Sequence, residues 1–224
     1  VIEQYFPHIS GLLPELWLSI GQTALMLSIS LGTAIVLGGP LGILVFVSAP
    51  GQSMAYPGAF KALNWMINTV RSFPFIVLLV ALVPFTRKIA GTSIGPVAAA
   101  VPLSIAAIPY FARLVEQSVR EVPRGVIEAA QAMGASEFQI ISRVLLLEAR
   151  PGLTLGLTVL AISFLSYSAV AGVVGGGGIG DLAIRYGYYR FETDVMVVTV
   201  ALLVVLVQLI QFTGNAIARR VDHR

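Results

Sequence analysis

Residues 16–47, LWLSIGQTALMLSISLGTAIVLGGPLGILVFV, contain no charged side chain. A helix needs about 20 apolar residues to cross the hydrocarbon core of a bilayer. This run is longer than one crossing needs and too short for two antiparallel crossings joined by a turn. It therefore reads as one span, with a weak point near its end at Gly38-Gly39-Pro40. The rest of the chain has the same character. Hydrophobic residues make up 57% of it and charged residues 11%, against about 25% charged in ordinary soluble domains, and the mean hydropathy is +0.88. The lipid bilayer is the solvent such a composition requires.

Four further spans follow. Residues 62–86 carry Leu63, Met66, Ile67 and Val70 at helical spacing; this span is entered through Arg71 and should bend at Pro74. Residues 94–112 contain Pro102 and Pro109, and residues 153–174 and 195–218 complete the set. The expected fold class is an all-α membrane protein with five transmembrane helices in one domain, 1–224. Five crossings place the two ends on opposite sides. Arg219, Arg220 and Arg224 close the chain, and basic flanks stay in the cytoplasm, so the C-terminus is expected inside and the N-terminus outside. The first fifteen residues agree, with Glu3 and Glu15 but no Lys or Arg. Lys61, Arg113, Arg120, Arg124, Arg143 and Arg150 then face the cytoplasm, while Arg87, Lys88, Arg185 and Arg190 fall outside.

Against this apolar background residues 118–150 are polar, and they have an internal grammar. Pro123 suits the first position of a helix, where its missing N–H costs nothing. Helix formers run from Arg124 to Met133. Gly134 can take the left-handed conformation that ends a helix. Ser136-Glu137-Phe138-Gln139 is a capping box that starts another, with Ile140, Ile141, Val144 and Leu147 on one side, before Pro151-Gly152. Ala129, Ala130, Ala132 and Gly134 leave the first helix a small-residue surface that another backbone can approach closely, with Glu128 at its rim. Two readings stand: a dock for a soluble partner, or an interfacial helix lying on lipid. The first helix lacks the bulky anchors and the basic face that the second reading wants.

The residues also exclude chemistry. The chain has no cysteine, which removes disulfides, thiol catalysis and cysteine metal sites. Its two histidines, His8 and His223, stand at opposite ends, so a histidine metal centre or serine–histidine protease is not expected. Asp181, Asp194 and Asp222 flank the spans, which argues against an intramembrane aspartyl protease. The two lysines, Lys61 and Lys88, follow Phe60 and Arg87, so no phosphate-binding Gly-x-x-x-x-Gly-Lys-Ser/Thr loop exists. The basic residues are scattered, which does not suit nucleic acid. Gly175-Gly176-Gly177-Gly178-Ile179-Gly180 has no following lysine and reads as a flexible external turn. No acidic residue is expected inside a span, which disfavours an ion-coupled secondary transporter or channel, the main alternative.

Glu128-Ala129-Ala130, with Gly134 and Ala135 after it, resembles the EAA loop of bacterial ABC-importer permeases. Arg71-Ser72-Phe73-Pro74-Phe75, Pro84-Phe85-Thr86-Arg87, Gly91-Thr92-Ser93-Ile94-Gly95 and Tyr186-Gly187-Tyr188 resemble the branch of that family that imports methionine. The resemblance implies a multi-pass protein of the bacterial inner membrane. It implies that Glu128, Ala129, Ala130, Gly134 and Ala135 couple the chain to a separate ATPase, which uses ATP and Mg, with no cofactor bound by this chain. It implies as partners a second copy of the chain, two ATPase subunits and a periplasmic or lipoprotein binding protein. The substrate implied is methionine, its D isomer included, with another small amino acid or a dipeptide left open. Arg71, Phe75, Ser166 and Tyr167 are the candidates along the translocation path, although Arg71 also suits a snorkelling role at the membrane edge. One departure stands out. Where the family pattern reads Leu-Pro-Glu-Ala, this chain has Leu146-Leu147-Glu148-Ala149, so its second loop helix should run on until Pro151 stops it.

Overall fold

The computed structural model describes residue 8, residues 11–52 and residues 54–222. Glu3, His223 and Arg224, which entered the orientation and metal arguments, lie outside the described residues. Among those described the chain is helical, with no strand. Helix α1 is Leu13–Val47. Helices α2 (Pro57–Ser72), α3 (Phe75–Ala81), α4 (Val83–Ala90), α5 (Pro96–Arg120) and α6 (Arg124–Ala132) follow. Helix α7 is assembled from Glu137–Gln139, a π-helical stretch Ile140–Leu145, and Leu146–Glu148. Helix α8 is Arg150–Gly176, α9 is Gly178–Leu182 with a π-helical continuation Ala183–Tyr188, and α10 is Thr193–Val221.

Four helices, α1, α5, α8 and α10, are long and apolar enough to cross a membrane, and the bent pair α2–α3 makes a fifth if it counts as one span. The second span is thus not one continuous helix with a kink. Pro74 is extended (φ −56°, ψ 133°) and caps α3. Proline also disfavours the helical region for the residue before it, so α2 stops at Ser72 and a new helix starts. The third span runs on to Arg120, past the expected end at 112, where Glu116 pairs with both Arg113 and Arg120 along the helix. The fourth and fifth spans are extended at their ends, with Pro151 accommodated in the first turn of α8 and Asp194 in that of α10. Pro123 takes the N-cap of α6, one position earlier than its sequence suggests.

The weak point in α1 is a π-helical stretch, Ala34–Gly38, with the Gly39 N–H reaching the carbonyls of Ala34 and Ile35. Pro40 cannot donate to the carbonyl four residues back and its ring crowds it. A wider turn just before it relieves both problems. The glycines serve packing as well. A Cβ at Gly38 would stand 2.5 Å from the Ile108 carbonyl oxygen, and one at Gly42 would stand 2.4 Å from that of Ala112. Small residues four apart let two helices approach backbone to backbone.

Contacts divide the chain into two compact units. One is drawn from the described parts of Val1–Gly32, Phe73–Ala106 and Ala161–Gln211, the other from those of Thr33–Ser72, Ala107–Leu160 and Phe212–Arg224. In the first, Leu182, Tyr186 and Val195 form a buried cluster with Leu12, Leu16 and Val198 packed on it. In the second, Val45, Ile67 and Ala112 are covered by Leu41, Phe60 and Leu63.

Candidate functional site

The polar stretch folds as its local signals require. Met133 caps α6 and Gly134 takes φ 80°. The Gly134 N–H donates to the Gln131 carbonyl at 2.9 Å and the Ala135 N–H to that of Ala130 at 3.1 Å. This is a Schellman motif, which satisfies carbonyls that the helix end would leave bare. The Ser136 N–H then donates to Gln139 Oε1 at 2.8 Å, and the Gln139 N–H returns to Ser136 Oγ, closing the capping box. Two helices are therefore joined by a four-residue turn, Met133 to Ser136, that backbone and capping bonds hold. Ala130 is buried, Ala135 half-buried, and Glu128, Ala129 and Gly134 are exposed.

Two features of this pair escape a reading of the sequence. The first is a pair of bulky exposed residues on either side of the turn, Met133 at 82% and Phe138 at 77% exposure, where bulky anchors were not expected. The second is the register of α7. Its π-helical stretch inserts extra backbone per turn, so Ile140 and Leu145 are buried while Leu147 is exposed. Helix α7 runs to Glu148 without the usual proline and ends before Pro151. A cleft of about 130 Å³ opens between the helix pair and the end of α1, with Phe46, Arg124, Glu128, Gln131, Glu137 and Ile140 among its walls.

The path candidates sort into separate settings. Phe75 and Tyr167 meet: their rings stack 4.8 Å apart at an interplanar angle of 8°, and Phe164 packs edge-on against Tyr167 at 5.1 Å. Arg71, exposed in the last turn of α2, holds its guanidinium 5.6 Å from the centre of the Tyr110 ring, within reach of a cation–π attraction. Ser166 is exposed and bonds back to the Ile162 carbonyl. It faces a mostly apolar cleft of about 350 Å³ with Leu165, Leu203, Val204, Val207 and Gln208.

One acidic residue does lie inside a long helix, contrary to expectation. Glu116 of α5 is 3% exposed. It pairs with Arg113 on one oxygen and with Arg120, at 2.7 Å, on the other. Arg113 also donates to Asn64 at 2.8 Å and Asn68 at 3.0 Å on α2. The carboxylate thus ties two arginines of α5 and, through Arg113, the asparagines of α2 into one polar network.

The glycine run is not a loose turn. Gly172, Gly176, Gly178, Ile179 and Gly180 are buried. The backbone breaks out of helical geometry at Val174 and Gly175. The side chains of α1 hold the restart: the Gly178 N–H donates to Gln22 Oε1 at 2.7 Å and the Ile179 N–H to Thr23 Oγ1 at 3.0 Å. A Cβ at Gly180 would lie 2.4 Å from the Ala169 backbone. Beyond it, Tyr186 donates its hydroxyl to Glu15 Oε1 at 2.9 Å, and Arg190 stacks 4.4 Å over the Tyr186 ring. That hydrogen bond, reinforced by burial and by the Glu15 charge, raises the Tyr186 pKa above the ordinary tyrosine range.

Lipid-length helices, an irregular buried helix break and a capped polar helix pair define a multi-pass membrane permease. The chain belongs to the family of binding-protein-dependent transport system inner membrane components, whose model matches residues 38–224. It is 49% identical over 203 residues to a Vibrio cholerae protein named "Probable D-methionine transport system permease protein MetI", covering 91% of this chain and 90% of that one. It is 40% identical over 224 residues to the Bacillus subtilis "Methionine import system permease protein MetP", covering 100% of each. The fold matches a chain of a solved structure of the MetNI methionine ABC transporter in inward-facing conformations, with a TM-score of 0.93 and 44% identity over 95% of this chain and 99% of that one. The protein is thus a multi-pass component of the inner membrane.

Proposed function

We propose that the chain is the permease subunit of an ATP-driven importer of methionine, in its L and D forms. The observation that carries the coupling part of this reading is the α6–α7 pair: a rigid, doubly capped helix hairpin presenting Glu128, Ala129, Met133 and Phe138 outward. The substrate is taken over from relatives named for methionine transport. The ATPase is a separate chain that binds ATP and Mg, and this chain binds no cofactor. Two permease copies pair with two ATPase subunits, and a periplasmic or lipoprotein binding protein delivers substrate from outside. The C-terminus and the helix pair lie in the cytoplasm, the N-terminus outside. ATP draws the ATPase subunits together, the helix pairs move with them, and the spans open outward; hydrolysis resets the inward-facing state. Phe75 and Tyr167 contribute an aromatic wall to the path, and aromatic rings attract a thioether sulfur.

The test combines assembly and transport. Affinity purification of the tagged chain in mild detergent should recover an ATPase at equal stoichiometry. Gly134→Val forces a β-branched residue into a left-handed backbone, and Glu128→Arg reverses the charge at the rim. Both variants should reach the membrane and lose ATP-driven methionine uptake. Wild-type uptake by both would refute the coupling role.

A further inference from the structure

Helical threonines usually satisfy their hydroxyl on their own helix. Thr154, Thr158 and Thr199 do so here, bonding to the carbonyls of Arg150, Thr154 and Val195 at 2.8–2.9 Å. Thr86 of α4 does not. Its side chain is 4% exposed, its hydroxyl has no hydrogen-bond partner among the described residues, and the Leu82 carbonyl accepts the Thr86 N–H. The hydroxyl belongs to the wall of a cavity of about 20 Å³ shared by Leu79, Ser93, Ala98, Pro102 and Gly176. Ala98 and Pro102 both line this cavity, and Pro102 has no N–H to give the Ala98 carbonyl four residues back. Ser93 adds a third polar group at the exposed rim.

We propose that this cavity is a binding site for a single water molecule, held by the Thr86 hydroxyl and the Ala98 carbonyl beside the broken end of α8. The volume exceeds the roughly 10–15 Å³ that one water occupies, and a buried water typically makes about 3 hydrogen bonds. Both oxygens are neutral and no carboxylate lines the pocket, which suits water better than a metal ion. Water also bridges packed elements without fixing their spacing as a direct bond would, which suits a place where two helices, α4 and α5, meet the irregular backbone around Gly176.

The sign of one substitution decides the matter. Thr86→Val keeps the shape and removes the hydroxyl. If the hydroxyl is unsatisfied in the native state, an apolar replacement of the same shape relieves it and raises the unfolding midpoint. If a water is bound, the substitution strips that water of a partner and leaves the Ala98 carbonyl poorly solvated. The full chain in detergent, scanned at one rate by tryptophan fluorescence, should then unfold about 2–4 °C lower for Thr86→Val, whose side chain keeps the volume and loses only the hydroxyl. A high-resolution experimental map should show a solvent peak about 2.6–3.2 Å from Thr86 Oγ1. An unchanged or raised midpoint for Thr86→Val, or a map without that peak, overturns the proposal.

Discussion

Tyr186 shows how much one side chain carries. It is buried against Leu182 and Val195, donates to Glu15, and lies under Arg190. Its pKa is raised because the native contact uses the proton that ionisation removes. The native state therefore holds this proton more tightly than the unfolded chain does. The stability the bond supplies is complete below the unfolded tyrosine pKa of about 10 and is lost as pH rises through the higher native value. Tyr186→Phe should lower the unfolding midpoint at neutral pH, and the gap to wild type should close only as the pH passes the ordinary tyrosine value. A gap that closed nearer neutrality would mean the Glu15 contact is not its source. Gly180 makes a simpler case. A Cβ there would stand 2.4 Å from the Ala169 backbone, and backbone cannot yield as a side chain tip can. Gly180→Ala should destabilise by about 1–3 kcal/mol, the usual cost of overpacking, while Gly21→Ala, with nothing within 4 Å, should be neutral or slightly stabilising in the same thermal assay.

At the scale of the element, the α6–α7 pair separates what holds a motif together from what it presents. Ser136→Ala removes a cap and should cost about 1 kcal/mol of local stability. Met133→Ala and Phe138→Ala should leave the fold intact, since both side chains are exposed, yet weaken recovery of the ATPase far more; buried interface anchors typically cost 2 kcal/mol or more when truncated. Equal ATPase recovery from the double variant and wild type would remove these two residues from the dock. The pair also marks the limit of legibility. Gly134, Ser136 and Gln139 are readable because each satisfies a neighbour within a few residues, and local chemistry needs no fold to operate. Met133 and Phe138 are readable only as ordinary apolar residues, because their exposure depends on what fails to pack over them. The π-helical shift that buries Leu145 in place of Leu147 is likewise tertiary. The glycine run was misread for the same reason: four glycines look flexible until Gln22 and Thr23, distant in sequence, arrive to hold them. Glu116 lies beyond the apolar run that ends at 112, and its place in α5 depends on the two arginine partners.

For the whole molecule the open variable is parity. The α2–α3 break at Pro74 leaves four long helices, or five crossings if the broken pair traverses the bilayer. Five crossings put the two ends on opposite sides and four put them on the same side; α8 and α10 leave the α6–α7 pair on the C-terminal side either way, so parity decides on which side of it the N-terminus lies. The absence of cysteine from the sequence makes a direct measurement simple, because every introduced thiol is the only one. Gly11, Lys88, Met133 and Arg219 are all exposed, and no atom of the described residues stands within 4 Å of a Cβ at Gly11. Each can be changed to cysteine singly and challenged with a membrane-impermeant maleimide on intact cells with a permeabilised outer membrane. The proposed orientation requires Gly11→Cys and Lys88→Cys to label at once, and Met133→Cys and Arg219→Cys to label only after the inner membrane is opened. Labelling of Gly11→Cys and Arg219→Cys under the same condition would mean four crossings and make α2–α3 a re-entrant segment. Labelling of Met133→Cys from outside would place the helix pair where no ATP is available, and the coupling reading would fail with it. The basic residues favour the first pattern: Arg113, Arg120, Arg124, Arg143 and Arg150 cluster around the helix pair, and a cytoplasmic face retains such a cluster against the membrane potential.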